Sequence, residues 1–115
     1  MIKEKRPWGE FEVLAEGDNW KVKRLTINPG HRLSLQMHKH RSETWVITNG
    51  VGEVTASDET RIEEKGIGHV YYLPRQAKHR ITNNGKIPLE LIEVQRGEYF
   101  GEDDEERLED DYGRK

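Results

Sequence analysis

Leu33-Ser-Leu-Gln-Met-His-Lys-His40 is the stretch of sequence from which the fold is most readily predicted. Its apolar residues occupy every second position, which is the pattern of a β-strand with one apolar and one polar face. The polar face carries Ser34, Gln36, His38 and His40. The stretch therefore predicts a strand that presents several metal-capable side chains on one face.

Short alternating runs of the same kind occupy most of the chain on both sides of this stretch, and no helical period appears between residues 8 and 100. The runs are Glu10 to Leu14, Trp20 to Ile27, Leu33 to His40, Glu43 to Thr48, Val51 to Ser57, His69 to Leu73, Ala77 to Asn83 and Leu89 to Gln95. Turn-forming residues separate them, and the pair Asn49-Gly50 favours a two-residue hairpin. Eight short strands at this spacing predict an all-β sandwich or barrel.

Length and composition limit the chain to a single domain over residues 1–115, with core strands from about 10 to 95 and an acidic tail over 101–115. The chain has 115 residues, 32% of them hydrophobic, no Cys and a net charge of −3. Ten of the tail residues, Glu102 to Asp111, hold eight acids and one base. The remaining residues therefore carry a small positive charge, and only the tail has a composition compatible with a helix or a solvated charge run.

Several classes of partner are excluded by these properties. The body is not basic enough to favour nucleic-acid binding, although small anions remain possible partners. No long apolar run predicts a membrane span, and the start of the chain lacks the apolar segment of a signal peptide. We therefore expect no membrane partner and a cytoplasmic location.

The candidate ligands of a metal ion lie on separate predicted strands. If the strand that carries His79 lies opposite the strand that carries His38, then His38, Glu43 and His79 converge on one ion with either Gln36 or His40. Nitrogen and oxygen ligands of this kind suit a divalent transition metal ion such as Zn²⁺, Mn²⁺, Fe²⁺, Co²⁺ or Ni²⁺.

The spacing of these residues resembles the two motifs of the cupin family. The positions that match the first motif are Gly30, Gln36, His38, Glu43 and Gly50, and those that match the second are Gly68, Pro74, Gln76, His79 and Asn83. Gln36 replaces the usual first His of the first motif, and Gln76 replaces a Gly of the second. An alternative alignment uses His38 and His40 as the His pair, but only the set Gln36, His38, Glu43 and His79 preserves every spacing.

Within the cupins, the chain most resembles type II mannose-6-phosphate isomerases, the isomerase domain of bifunctional mannose-1-phosphate guanylyltransferase/mannose-6-phosphate isomerase enzymes. The segments that carry the resemblance include Arg6-Pro-Trp-Gly9, Leu33-Ser-Leu-Gln-Met-His38, Ile87-Pro-Leu-Glu-Leu-Ile-Glu-Val-Gln95, Gly101-Glu-Asp-Asp104 and Tyr112-Gly-Arg114. The resemblance implies a double-stranded β-helix, or jelly-roll barrel, and a tail that packs on the barrel or on a partner subunit. It also implies metal-dependent interconversion of mannose 6-phosphate and fructose 6-phosphate through an enediol.

Roles follow for further residues if this activity is present. The candidate catalytic bases are His40 and Glu93, and Arg is the residue expected to bind the phosphate. The candidate phosphate ligands are Arg41, Arg80, Arg107 and Arg114. We expect a homodimer, because so small a core gains from association. The alternative functions are a metal-binding cupin that acts on or senses another sugar, and an Fe-dependent cupin oxygenase.

Overall fold

Eleven β-strands make up most of the fold, which is taken from a computed structural model that describes residues 2–56, 62–101 and 104–113. The strands are β1 Ile2–Arg6, β2 Gly9–Glu16, β3 Trp20–Ile27, β4 Leu35–His38, β5 Arg41–Asn49, β6 Gly52–Ala56, β7 Ile62–Lys65, β8 Val70–Leu73, β9 His79–Thr82, β10 Leu89–Gly97 and β11 Glu105–Glu109. No helix in the described part of the chain is long and apolar enough to cross a membrane. The predicted all-β fold is confirmed.

Two antiparallel sheets face each other across the core. The six-stranded sheet has the order β1-β2-β3-β10-β5-β8, and the five-stranded sheet has the order β11-β4-β9-β6-β7. The chain passes back and forth between the sheets, so that β4 and β5, which are consecutive in sequence, lie in different layers. Residues close in sequence therefore approach the interior from opposite sides.

Three strands were not among the eight predicted. They are β1, β7 and β11, which are rich in charged residues and have no alternating apolar pattern. All three lie at sheet edges. A helical tail is wrong for the described residues, because β11 pairs antiparallel with β4, with Glu105 opposite His38. The expectation that the tail packs on the barrel is confirmed.

The predicted hairpin at Asn49-Gly50 is also wrong. Gly50 has a φ of 80°, as a tight turn requires, but β5 pairs with β10 and β8 whereas β6 pairs with β7 and β9. The turn thus carries the chain from one sheet to the other. A Cβ atom at Gly50 would lie 2.8 Å from the carbonyl oxygen of Pro88, so close backbone packing as well as backbone conformation favours glycine here.

The interior of the barrel has two chemically different ends, which we call the closed end and the open end. At the closed end Ile27, Ile47, Leu89 and Leu91 are fully buried. At the open end the inward positions of the same strands hold Arg41 and Glu43 on β5 and Glu93 and Gln95 on β10. The strands β5 and β10 therefore run from an apolar core into a polar cavity.

Candidate metal centre and its cavity

The candidate metal ligands come from three strands in two sheets. β4 carries Gln36 and His38, and β9 carries His79, which is the register partner of Gln36. These strands are neighbours in one sheet, so His38 and His79 lie side by side rather than on opposed strands. Glu43 approaches from β5 in the other sheet. One ligand atom each of His38, Glu43 and His79 lies within 4.8 Å of the other two, and all three residues are buried.

The His79 ring is held in the protonation state that metal binding needs. Its Nδ1 donates to the carbonyl oxygen of Ala77 at 3.1 Å, so its Nε2 is the unprotonated nitrogen. Nε2 has no hydrogen-bond partner among the described residues and lies 3.6 Å from Glu43 Oε1. Burial lowers the pKa of His79 to about 4, and the nearby His38 ring adds to the shift. A neutral imidazole with a free lone pair therefore faces the site.

His38 and Glu43 complete the cluster. The Nδ1 atom of His38 lies 3.5 Å from Glu43 Oε2, and its buried Nε2 has no hydrogen-bond partner within the described part of the chain. Glu43 Oε1 also accepts a hydrogen bond from the indole nitrogen of Trp45 at 3.0 Å, which orients the carboxylate as outer partners of metal ligands commonly do. Two buried imidazoles that each turn one nitrogen toward the same carboxylate fit a divalent transition metal ion.

Gln36 is placed to supply a fourth ligand. Its side-chain nitrogen donates to Ser34 Oγ at 2.8 Å, so its amide oxygen is available as a ligand. Ser34 is fully buried and fixes the orientation of this amide. Gln36 also lines the cavity beside the cluster, and its oxygen is therefore a candidate ligand of the same ion.

A cavity of about 600 Å³, including the solvent at its mouth, adjoins the cluster. Its walls come from both sheets and from the tail. The lining residues are Arg6, Trp8, Phe11, Lys23, Leu25, Leu33, Gln36, Arg41, Glu43, Glu93, Gln95, Phe100, Glu105 and Arg107. The cavity combines apolar walls with charged groups of both signs, which is the usual composition of a site for a polar small molecule.

Glu93 is a buried carboxylate in this cavity, next to the cluster. It accepts hydrogen bonds from Trp45 Nε1 at 3.2 Å and from Gln95 Nε2 at 2.6 Å. Burial and the negative charge of Glu43 together raise the pKa of Glu93 to about 7, although the charge of Lys23 opposes the shift. A carboxyl group with such a pKa is suited to both accepting and donating a proton near neutral pH.

The tail contributes directly to this end of the barrel. Glu105 Oε1 lies 3.6 Å from His38 Nε2, and Glu105 pairs with Arg107 at 2.9 Å. Burial alone would raise the pKa of Glu105, but the His38 ring and the Arg107 charge outweigh it and lower that pKa. Asp104 is buried and accepts hydrogen bonds from the backbone nitrogens of Lys39 and His40, so the tail also fixes the turn after His38.

Comparison with known proteins identifies the family. The sequence profile described as "Mannose-6-phosphate isomerase C-terminal" matches residues 2–110. The chain belongs to this family. It is 50% identical over 109 residues to the alginate biosynthesis protein AlgA of Pseudomonas aeruginosa strain PAO1. It is 46% identical over 109 residues to a mannose-1-phosphate guanylyltransferase of Escherichia coli strain K12. Each alignment covers 95% of this chain but only 22% of the relative's length.

Solved structures show the cupin fold. Oxalate decarboxylase from Bacillus subtilis superimposes with a TM-score of 0.81 at 22% identity, over 93% of this chain and 30% of that one. The Cnp3 cupin domain of Schizosaccharomyces pombe superimposes with a TM-score of 0.71 at 20% identity, over 76% of this chain and 64% of that one. The predicted resemblance to the cupins and to the mannose-6-phosphate isomerase family is therefore confirmed.

The other predicted site residues of this family member lie in different surroundings. Arg41 and Arg107 line the cavity, as Glu93 does. His40 lies in the turn after β4, where its side chain is 52% exposed and outside the cavity lining. Arg80 also lies outside the lining and instead contacts Glu109 and the carbonyl oxygen of Leu33. Arg114 lies outside the described residues.

Four further polar residues of the cavity had no predicted role: Arg6, Lys23, Gln95 and Glu105. For two of them, the strand pattern in the sequence indicated an inward-facing position. Lys23 lies two and four residues before Leu25 and Ile27 on β3, and Gln95 lies four and two residues after Leu91 and Glu93 on β10. Both therefore lie on the inward-facing side of their strands. Glu105 gave no signal, because its position depends on the pairing of β11 with β4.

Proposed function

We propose that this domain binds one divalent transition metal ion through Gln36, His38, Glu43 and His79 and interconverts mannose 6-phosphate and fructose 6-phosphate. The observation that carries the proposal is the convergence of the buried imidazoles of His38 and His79 with Glu43 at the wall of a cavity that also holds the buried carboxyl group of Glu93. Family membership supports a sugar phosphate as substrate.

The metal ion suits this reaction because of its charge. A divalent ion in this site would act as a Lewis acid on the carbonyl and hydroxyl oxygens of the sugar. The donor set of one carboxylate, two imidazoles and an amide accommodates Zn²⁺, Mn²⁺, Fe²⁺, Co²⁺ or Ni²⁺. Elemental analysis of the purified protein will identify the ion.

Glu93 is the proposed catalytic base, in preference to His40. It lines the cavity, whereas His40 does not. Glu93 takes the proton from C2 of mannose 6-phosphate as the enediol forms between C1 and C2. The return of that proton to C1, with transfer of the O2 proton to O1, gives the ketone of fructose 6-phosphate. No external oxidant or reductant is needed, since the reaction only moves hydrogen within the sugar.

A direct assay tests this proposal. Metal-loaded protein is incubated with fructose 6-phosphate, and mannose 6-phosphate is measured over time. We expect turnover by the unaltered protein, a loss of about 100-fold or more in kcat for Glu93→Gln, and near-normal turnover for His40→Gln. Metal content should be the same in all three proteins. Failure of the metal-loaded protein to form mannose 6-phosphate would contradict the proposal, and tight sugar-phosphate binding without turnover would indicate a sensing role.

The homodimer is proposed to form through the outer face of the six-stranded sheet. Outward positions of its central strands form an apolar band whose members are Val22, Val46, Val70, Tyr72, Ile92 and Val94. Val70 and Tyr72 are 55% and 63% exposed. The four strands, three of eight or nine residues and one of four residues, cover roughly 500 Å². Two such faces bury about 1,000 Å² together, which reaches the lower limit for a specific interface.

Light scattering tests the dimer. Val70→Glu places a charge in the band and should convert a dimer into a monomer at micromolar concentration. Ile87→Glu is the matched control, because Ile87 is also 55% exposed but lies outside the band. A chain that is monomeric without any substitution, or a dimer that survives Val70→Glu, would contradict this interface.

A further inference from the structure

The cavity holds one group of cations near the metal ligands and a second group farther away. Arg41 lies 4.0 Å from Glu43 and 3.9 Å from Asp104, and Arg107 lies 2.9 Å from Glu105. These arginines are thus already opposite carboxylates. A phosphate would have to compete with those acids for them, but not for a cavity cation that forms no such ion pair.

Lys23 is such a cation. It lines the cavity, is half-buried, and forms no ion pair with any carboxylate in the described ranges of the chain. Its ammonium nitrogen lies 4.4 Å from the centre of the Phe11 ring, and Arg6 Cζ lies 4.7 Å from the same centre. The buried Phe11 ring therefore holds two cations by cation–π contact without neutralising either charge. Arg6 itself donates to Glu4, which leaves Lys23 as the stronger candidate for an anionic ligand.

The position of Lys23 relative to the metal ligands fits a substrate with two different ends. Lys23 is the register partner of Glu93 on β10, and Glu93 is the register partner of Trp45 on β5. Two strand spacings separate the backbones of Lys23 and Trp45 by about 10 Å. A hexose 6-phosphate carries its phosphate at the far end of the carbon chain from the carbonyl. The same molecule can therefore present its carbonyl to the metal ligands and its phosphate to Lys23.

We propose that Lys23 binds the phosphate group of the sugar, at the part of the cavity lined by Phe11 and Arg6, and thereby sets the preference for phosphorylated over unphosphorylated sugars. This inference rests on the sugar-phosphate substrate proposed above. It assigns the phosphate to a lysine that the arginine-based prediction did not include, and it leaves Arg41 and Arg107 opposite the acids of the metal end.

Binding measurements separate this role from a general effect of charge. Metal-loaded protein is titrated with fructose 6-phosphate, fructose and inorganic phosphate in a calorimeter. Lys23→Gln should weaken the binding of fructose 6-phosphate about tenfold to a hundredfold, as expected for loss of a charged hydrogen bond, and should leave fructose binding unchanged. Lys23→Arg should restore most of the affinity. Lys23→Met, which keeps an aliphatic stem over Phe11, should behave as Lys23→Gln does.

Lys21→Gln is the matched control. Lys21 lies two residues earlier on β3, with the same strand parity, but it pairs with Glu16 and does not line the cavity. We expect it to change fructose 6-phosphate affinity less than twofold. Metal content and the unfolding temperature of every variant provide a measure of correct folding.

The possible outcomes are distinct from those of the isomerase assay. Binding that depends on Lys23 but without turnover would support the phosphate site and contradict the isomerase proposal. Turnover with the same KM for Lys23→Gln and Lys23→Met as for the unaltered protein would overturn the phosphate site alone. Equal affinity of the unaltered protein for fructose and fructose 6-phosphate would also overturn it.

Discussion

The closed and open ends of the barrel are built by the same two strands and are buried to nearly the same extent, yet their chemistry is opposite. Ile47 of β5 and Leu91 of β10 are register partners at the closed end, and both are fully buried. Farther along, Glu43 and Gln95 are also register partners, and they are only 3% and 2% exposed. Burial therefore does not distinguish the functional end from the structural end.

This difference in chemistry between the two ends indicates that the open end is less stable than an apolar core would be. Burial of a carboxylate is costly unless hydrogen bonds or charges compensate it, and apolar residues at Glu43 and Glu93 would avoid that cost. Trp45 lies at the boundary between the two ends. Its ring is fully buried, and its indole nitrogen donates to both Glu43 and Glu93. Trp45 is thus both the last residue of the apolar core and the hydrogen-bond donor that orients the two buried acids.

The largest effect is expected from loss of a metal ligand at the open end. His79→Ala removes a nitrogen that faces Glu43 and should lower metal affinity more than about 100-fold, since even outer partners of metal ligands are worth 10- to 100-fold. Elemental analysis and metal titration measure this. His69→Ala is the control, because His69 packs on Tyr71 away from the cluster. Full metal occupancy in His79→Ala would show that the ion binds elsewhere.

At the closed end, a large loss of stability is expected without a loss of metal affinity. Ile47→Ala leaves a cavity in the core and should lower the free energy of unfolding by about 2–5 kcal/mol. Denaturant unfolding of the metal-free protein measures the loss. The metal affinity of the folded variant should remain unchanged, because Ile47 belongs to the apolar core at the closed end. A parallel fall in metal affinity would mean that the two ends behave as one unit.

A smaller effect is expected where the tail fixes the open end. Asp104→Ala leaves the backbone nitrogens of Lys39 and His40 without the charged acceptor of their part-buried hydrogen bonds and should lower the free energy of unfolding by about 1–3 kcal/mol. Metal affinity should also fall, because these nitrogens directly follow His38. Asp104→Asn keeps an acceptor oxygen and should recover part of both losses. Equal losses in the two variants would show that the charge of Asp104, rather than its hydrogen bonds, matters.

Much of this arrangement could be predicted from local sequence, but not all of it. The alternation around Gln36, His38 and Glu43 predicts strands and ligands, because side-chain parity is a local property of a strand. The position of Lys23 opposite Glu93 depends on the order of strands in a sheet, and that of Glu105 beside His38 depends on an edge pairing distant in sequence. Such contacts between charged residues leave no periodic pattern in the local sequence, so they could be identified only from the structure.

The smallest effect is expected at the far end of the tail, where Arg32 and Asp111 form a bidentate ion pair with distances of 2.6 and 2.7 Å. The hydrogen bond from Arg32 lowers the pKa of Asp111 below its usual value, so the folded protein binds this proton less readily than the unfolded chain does. The pair therefore stabilises the fold above about pH 4, and the contribution is lost as the pH falls through the lowered pKa. Because both side chains are largely exposed, Asp111→Asn should cost less than about 1 kcal/mol at pH 7. Unfolding of both proteins across the acid range measures the difference. A difference that persists at pH values below the pKa of Asp111, or one that does not shrink in high salt, would show that the tail is held here by something other than this ion pair.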